Sequence, residues 1–165
     1  MRARRLAVAF MALGVASAAS ALDLHQFWDQ RCHECHGHAG DFARRHFKVE
    51  KGELVGPHRR SEDLKTFMGR HEMGPQEVDG VYAMLLAQAT TQPVYQQKCA
   101  GCHQTAAELA RASVARRDGV VVVRGSGQSL SDLLQRHGKL SREEIPVVLE
   151  SLVRVLGEVE GASRK

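Results

Sequence analysis

Two pentapeptides of the form C-x-x-C-H constrain this chain more than any other feature of its sequence. Residues 32–36 read CHECH and residues 99–103 read CAGCH, and the two motifs contain all four cysteines of the chain. Two thiols three residues apart can each form a thioether with one vinyl group of the same porphyrin. The histidine that follows then lies beneath the iron as its proximal ligand. The pattern therefore predicts two covalently bound haem c groups, attached through Cys32, Cys35, Cys99 and Cys102 and ligated by His36 and His103.

Zinc binding and disulfide formation are the alternatives that these cysteines leave open. Zinc ribbons usually separate their two C-x-x-C pairs by about 15–20 residues. Here the second pair begins 67 residues after the first. A disulfide within either pair would give no role to the histidine that follows it. Both alternatives therefore explain less of the pattern than haem attachment does.

The N-terminus has the pattern of a secretory signal peptide. Three arginines lie within the first five residues, an apolar run covers Leu6–Ala16, and Ala19-Ser20-Ala21 fits a cleavage site. The apolar run is too short to span a bilayer. We therefore expect residues 1–21 to be removed and the mature protein to be periplasmic, with an uncleaved membrane anchor as the alternative. Export would bring the chain to the compartment where haem is attached, outside the cytoplasm. Removal of residues 1–21 would leave a mature chain without a membrane span.

The charge balance gives no indication of a nucleic-acid or membrane partner. The chain has 23 Lys and Arg against 19 Asp and Glu. Removal of the three signal-peptide arginines would leave 20 against 19, which is close to neutral. Basic residues are not interleaved with aromatic ones as in RNA-binding modules. Aromatic residues number only eight, so two porphyrins would supply much of the flat apolar surface that small cores need.

The chain contains an internal repeat of 66–67 residues. The segment Phe27–Cys32 aligns with Val94–Cys99, with an aromatic residue four positions before each first cysteine. Further on, Leu64–His71 aligns with Leu130–His137, and an Arg-His pair ends both segments. We therefore predict two tandem haem domains, 22–90 and 91–160, followed by a disordered tail at 161–165.

Apolar spacing and capping signals indicate an all-α fold. Helices are predicted at 23–35, 61–71, 75–88, 92–102, 104–117 and 130–135, and Ser141 with Glu144 forms a capping box for a last helix. Residues 37–60 show no clear period and are predicted to be a long polar connection. The run Val120–Val123 lies in a predicted loop, where it could pair as a short strand or pack against haem.

The second half of the chain offers one clear candidate for a distal iron ligand. After His103 it has no methionine, and His137 is its only histidine. Lys139 is a weaker candidate, and a five-coordinate iron is the remaining alternative. In the first half the repeat selects His71, which aligns with His137, although Met73 is a possible replacement. Two histidine ligands per iron would give lower reduction potentials than a methionine ligand.

The other histidines and methionines are assigned to surface or core. His25, His33 and His38 are predicted to be exposed, and His46 and His58 are expected at the surface of the long connection. Met68 aligns with a leucine and Met84 lies in an apolar helix, so both are predicted to be core residues.

Tandem C-x-x-C-H motifs, each at the end of an amphipathic helix and followed by a downstream ligand and a C-terminal helix, resemble dihaem members of the cytochrome c superfamily. The resemblance covers most of residues 22–158 and implies tandem cytochrome c-like domains. It also implies that Gly56-Pro57 supplies a carbonyl that binds the second ring nitrogen of His36. Familiar dihaem relatives commonly use methionine as the sixth ligand, and this chain departs from them there.

The expected role is electron transfer between redox protein partners, either as a free carrier or as a subunit of a larger redox complex. No hydrolase, metalloprotease or P-loop motif is present, so no catalytic residue is assigned. A small dihaem oxidoreductase, with peroxidase, nitrogen-oxide or sulfur-oxyanion chemistry, is one alternative. A haem-based gas sensor is the other. Either would require an iron site that is open or easily opened.

Overall fold

The computed structural model describes residues 22–57, 61–71, 73–137 and 139–161. The predicted signal peptide, residues 1–21, lies outside the described residues, and so does the predicted tail apart from Gly161. Within the described residues the chain forms ten helices and two antiparallel two-stranded sheets. None of the helices in these ranges is long and apolar enough to cross a membrane.

The two halves of the chain have the same order of elements. The first half consists of α1 (Leu24–Arg31), α2 (His33–His36), α3 (Ala39–His46), β1 (Lys48–Glu50), β2 (Glu53–Val55), α4 (Ser61–Gly69) and α5 (Pro75–Thr90). The second half consists of α6 (Val94–Lys98), α7 (Ala100–His103), α8 (Ala106–Ser113), β3 (Val114–Arg117), β4 (Val120–Val123), α9 (Leu130–Arg136) and α10 (Glu144–Glu160). Three helices, a hairpin and two further helices therefore occur twice.

The expectation of an all-α fold is wrong, because each half contains a β-hairpin. β1 pairs with β2 and β3 pairs with β4, and both pairs are antiparallel. Each hairpin turns through two residues with positive φ, Lys51-Gly52 and Asp118-Gly119. That is the geometry of a type I′ turn, whose twist matches that of the flanking strands. An Asp-Gly pair before four valines is a strong hairpin signal, and the valine run is strand β4.

The predicted helices also differ from the observed ones near these hairpins. The helix expected over 104–117 ends at Ser113, where the chain enters β3. The connection expected over 37–60 contains α3 and the first hairpin instead. The polar composition of this segment reflects the exposure of strand β1, which has no buried residue. Pairing with a neighbouring strand, which local composition does not reveal, outweighs helix propensity in these short segments.

Side-chain caps lie at the starts of α1, α3 and α8 and in the turn before α10. The Asp23 carboxylate accepts a hydrogen bond of 2.8 Å from the backbone N–H of Gln26 at the start of α1. Thr105 and Glu108 form a reciprocal capping box at the start of α8. The predicted capping box of Ser141 and Glu144 is confirmed by hydrogen bonds of 2.8 and 3.3 Å. These bonds satisfy N–H groups that a helix start leaves without intrahelical partners.

The buried residues form two hydrophobic clusters, one in each half. The first is centred on Leu54, Val81 and Met84 and the second on Val148, Leu152 and Leu156. Met68 and Met84 are buried, as predicted. Each cluster packs against the long last helix of its half, since α5 contacts α1, α3 and α4, and α10 contacts α6, α8 and α9.

Helix α1 also joins the two halves, because it packs against both α5 and α10. At its start, Asp23 accepts two hydrogen bonds from the Arg111 guanidinium of α8, at 2.8 and 3.0 Å. Two residues further, His25 Nε2 lies 2.7 Å from Glu158 Oε2 of α10. The prediction of an exposed His25 is wrong, since only 12% of its side chain is accessible.

Candidate functional site

Each C-x-x-C-H motif forms a single helical turn that follows a break in the helix before it. Helix α1 ends at Arg31, and Cys32 leaves the helical conformation with φ −120°. The backbone N–H groups of Cys35 and His36 then both bond to the Cys32 carbonyl, at 3.2 and 2.9 Å. This turn places both cysteines and the histidine on one short segment.

The second motif repeats this geometry closely. Cys99 has φ −115° after α6, and the N–H groups of Cys102 and His103 bond to its carbonyl at 3.0 Å. In both motifs the first cysteine is half-buried and the second is exposed, and all four thiols are free. The predicted helices over 23–35 and 92–102 are therefore each broken at the first cysteine.

An aromatic side chain of the preceding helix holds the end of each motif. Trp28 Nε1 donates a 2.9 Å hydrogen bond to the carbonyl of Gly37. Tyr95, at the equivalent position, donates from its hydroxyl to the carbonyls of His103 and Thr105, at 3.5 and 3.3 Å. Burial raises the pKa of Tyr95 well above its usual range, so the hydroxyl keeps its proton. The repeat reveals both aromatic residues in the sequence, but it does not reveal these bonds.

The structure brings His137 next to His103. The two Nε2 atoms are 3.4 Å apart, and the ring centroids are separated by 5.6 Å. Helix α9 sets the position of His137, which follows its last residue and donates its backbone N–H to the Leu133 carbonyl at 2.8 Å. A proximal and a distal ligand are expected to face each other in this way across an iron atom.

His71 lies next to His36 in the first half. Their ring centroids are 6.1 Å apart at an interplanar angle of 69°. Phe67, one turn earlier in α4, stacks on His71 at 5.1 Å. Phe42 of α3 covers His36 at 4.6 Å. Helix α4 therefore carries His71 in the first half as α9 carries His137 in the second, which the alignment of Leu64–His71 with Leu130–His137 predicts.

The surroundings of three motif side chains, Cys32, His36 and Cys99, favour their neutral forms. Partial burial lowers the pKa of His36, and repulsion from His71 and His46 lowers it further. Burial raises the pKa of the Cys32 and Cys99 thiols above their ordinary value. A neutral imidazole offers a lone pair to a metal, whereas a protonated one does not.

The remaining sequence candidates lie elsewhere. Met73 packs against the first hydrophobic cluster, whereas His71 lies beside the His36 ring. His46 ends α3 and contacts Phe42, and His58 lies outside the described residues. Within the described residues no hydrogen bond joins His36 to Pro57, so the carbonyl contact implied by the resemblance is not among the contacts of this structure.

The paired histidines match the donor set that a haem requires from a protein. A haem would need two protein ligands for its iron in addition to its own porphyrin, and in the second half His103 and His137 would supply them. An imidazole on each side of a metal at about 2.0 Å requires the two nitrogens to be about 4 Å apart. The His103–His137 distance of 3.4 Å differs from this by about 0.6 Å, which small rotations of two imidazoles can supply. The residues of the second pair therefore fit this group.

A metal ion bound without a porphyrin would need three or more protein ligands close together. Within the described residues no group of three or more His, Cys, Asp or Glu side chains could hold a metal ion.

Comparisons of the chain with family models, curated proteins and solved structures find no match.

Proposed function

We propose that this protein is a periplasmic dihaem c-type cytochrome that transfers electrons between redox partners. The observation that carries the proposal is the approach of His103 and His137, whose Nε2 atoms are 3.4 Å apart beside Cys99 and Cys102. The placement of His71 beside His36 in the first half supports it independently. Two chance pairings at equivalent positions of a repeat would be a poor explanation of this arrangement.

In this proposal the four cysteines hold the porphyrins and the four histidines hold the irons. Cys32 and Cys35 attach the first haem, and Cys99 and Cys102 attach the second. A bound haem supplies one-electron oxidation and reduction at its iron. His71 and His137 complete the coordination of the two irons and exclude small external ligands. The chain contributes positioning and electrostatic tuning, and no residue is assigned a catalytic role.

Export belongs to the same proposal. Residues 1–21 would direct the chain to the periplasm and be removed there. Donor and acceptor would both be redox proteins, encountered by a free carrier or by a subunit of a larger complex.

The first experiment counts the haems of the purified, exported protein. Intact-mass measurement and pyridine haemochrome analysis are expected to give two covalently bound haems per chain and a mature N-terminus at Leu22. Replacing Cys99 and Cys102 by Ala together should remove one haem and leave the other. A colourless product with four free thiols, or with bound zinc, would overturn the proposal.

The second experiment tests the distal ligand with His137→Ala. We expect both haems to remain attached while the second iron becomes high-spin and binds CO rapidly after reduction, because one axial position is opened. His46→Ala, in the first half, is the matched control and should leave the second iron six-coordinate and slow to bind CO. Unchanged spectra in His137→Ala would disprove this ligand. Rapid CO binding by the unmodified protein would favour an oxidoreductase or a gas sensor instead.

Met73 is tested by the near-infrared spectrum of the oxidised protein. Ligation of the first iron by His71 predicts that the charge-transfer band of methionine-ligated ferric haem is absent. Its presence, together with its loss in Met73→Leu, would assign Met73 as the ligand.

A further inference from the structure

A cavity of about 340 Å³ lies where the two halves of the chain meet. None of the cysteines of the motifs and none of the four paired histidines lines it. Its wall combines α3 and the end of α5 from the first half with α6, α8 and α10 from the second. The volume lies within the range of small-molecule binding sites, about 300–1,000 Å³.

The charged side chains in the wall of this cavity are two arginines, one from each half. Arg44 belongs to α3 and Arg154 to α10, and no Asp or Glu is among the described residues that line the cavity. The imidazoles of His25 and His38 also line it. Guanidinium groups are hydrogen-bond donors only. The wall is therefore suited to an anion rather than a cation.

Carboxylates outside the wall hold both arginines in place. Asp41 accepts a hydrogen bond from Arg44 Nη2 at 3.1 Å, and Glu158 accepts one from Arg154 at 2.6 Å. Arg44 also donates to Gln96 Oε1 at 3.0 Å and to the Gln88 carbonyl at 3.3 Å, so among the described contacts its Nε hydrogen and one Nη1 hydrogen are left for a ligand. The Arg154 bond uses Nη1, so the donors on its other nitrogens can serve a ligand. The carboxylates offset part of the positive charge, and directional hydrogen bonds would therefore contribute most of the recognition.

The rest of the wall is partly apolar. Pro93 of the linker, Ala106 at the start of α8 and Val155 of α10 line the cavity together with the Tyr95 side chain. A ligand that fits such a wall combines an anionic head with a short apolar body. A planar carboxylate matches the fork geometry of a guanidinium.

We propose that this cavity binds a small organic carboxylate, with its head at Arg44 and Arg154 and its body against Pro93, Ala106 and Val155. The cavity lies close to both motifs, since His38 follows His36 by two residues and Gln104 directly follows His103, and both line it. The inference goes beyond electron transfer and does not depend on it.

The test is isothermal titration calorimetry of the purified full-length mature protein with butyrate. We expect one binding site with an affinity near 0.1–1 mM, a range usual for a ligand of few atoms. Butan-1-ol, which keeps the apolar body but lacks the charge, and inorganic phosphate, which lacks the body, should each bind at least tenfold more weakly. Equal binding of phosphate would overturn the assignment of an organic ligand.

Two variants locate the binding. Arg154→Gln should weaken butyrate binding at least tenfold, because it removes a charge-assisted donor. Ala106→Leu, which fills the cavity without changing any charge, should also weaken it at least tenfold and keeps the test valid if Arg154→Gln does not fold. Arg111→Gln is the matched control, since Arg111 bonds across the halves but lies outside the wall. Absence of butyrate binding, or unchanged binding in Ala106→Leu, would overturn the proposal.

Discussion

At the residue scale, the position after each motif histidine has a backbone conformation that favours glycine. Gly37 has φ 67° and Gln104, its equivalent in the second half, has φ 57°. With ψ of −158° and −134°, both residues lie in a sparsely populated region that costs a residue with a Cβ about 1–3 kcal/mol. One half therefore makes the turn with the residue that suits it, and the other half makes the same turn under strain.

We therefore expect Gln104→Gly to raise the free energy of unfolding by about 0.5–1 kcal/mol. Relief of the strain outweighs the greater flexibility that glycine gives to the unfolded chain, about 0.5–1 kcal/mol. Urea denaturation of the purified protein measures the difference. Gly37→Ala is the matched variant and should lower the free energy of unfolding by about 1–3 kcal/mol. A less stable Gln104→Gly would show that the glutamine side chain outweighs the strain.

Trp28 makes a single hydrogen bond that a conservative substitution can remove. It is 3% exposed, and its indole N–H is the partner of the Gly37 carbonyl. Trp28→Phe keeps an aromatic ring and removes the donor, so the free energy of unfolding should fall by about 1–3 kcal/mol, part of it from the smaller ring. Tyr95→Phe should cost less, because its hydrogen bonds are longer. Thermal denaturation of both variants checks the order, and a larger loss in Tyr95→Phe would contradict it.

At the element scale, the two halves share their hairpins and short helices as well as their motifs. The turns Lys51-Gly52 and Asp118-Gly119 are 67 residues apart, the same separation as the two motifs. A helix carrying the distal candidate follows each hairpin, α4 in the first half and α9 in the second. In the second half, β4 connects directly to that helix through a bridge between Val122 and Ser129. The hairpin therefore helps to position His137.

The start of α8 gives a test at this scale. Thr105 Oγ1 accepts a 3.1 Å hydrogen bond from the Glu108 N–H, and the Glu108 carboxylate accepts one of 2.9 Å from the Thr105 N–H. The Thr105 N–H and hydroxyl, which both donate to this carboxylate, lower the pKa of Glu108. Thr105→Ala should lower the free energy of unfolding by about 1 kcal/mol. Ser141→Ala, at the longer capping bond of α10, should cost less, and urea denaturation of the two variants compares them.

At the scale of the whole molecule, the contact between Asp23 and Arg111 ties the first helix to the second half. The pair is bidentate, and 16% of the Asp23 side chain is exposed. Burial alone would raise the pKa of Asp23, but hydrogen bonds from Arg111 and Gln26 and the Arg111 charge lower it overall. Protonation of Asp23 at low pH would therefore weaken a contact between the two halves.

A lowered carboxylate pKa stabilises the folded state above the unfolded value and loses this contribution as pH falls through the folded value. We expect the free energy of unfolding to decrease on acidification below about pH 4, with Asp23 as one contributor. Asp23→Asn, which still caps α1, should reduce this decrease and lower stability at pH 7 by about 1–2 kcal/mol. Urea denaturation from pH 2.5 to 7 measures both effects.

Arg111→Gln should reproduce the loss at pH 7, and the double variant should cost less than the sum of the two single variants. Additive losses would show that the two side chains do not act as a pair.

Much of the candidate site was predictable from the sequence, because it depends on short-range spacing and on a repeat. C-x-x-C-H places thiols and imidazole within one helical turn, and the repeat selects His71 and His137 as partners of His36 and His103. The capping box of Ser141 and the burial of Met68 and Met84 were predictable for similar reasons, since the first depends on residues one turn apart, the second on the alignment of the repeat and the third on an apolar helix. Haem attachment itself stays a prediction.

Tertiary contacts decided the rest. The contact of His25 with Glu158, the bond between Arg111 and Asp23 and the arginine-lined cavity join segments up to 133 residues apart. Local periodicity carries no information about such partners, because a short polar segment becomes strand, helix or surface according to what packs against it. The sequence alone thus determined which ligand types each motif offers. The packing of the two similar halves determined the contacts and the cavity between them.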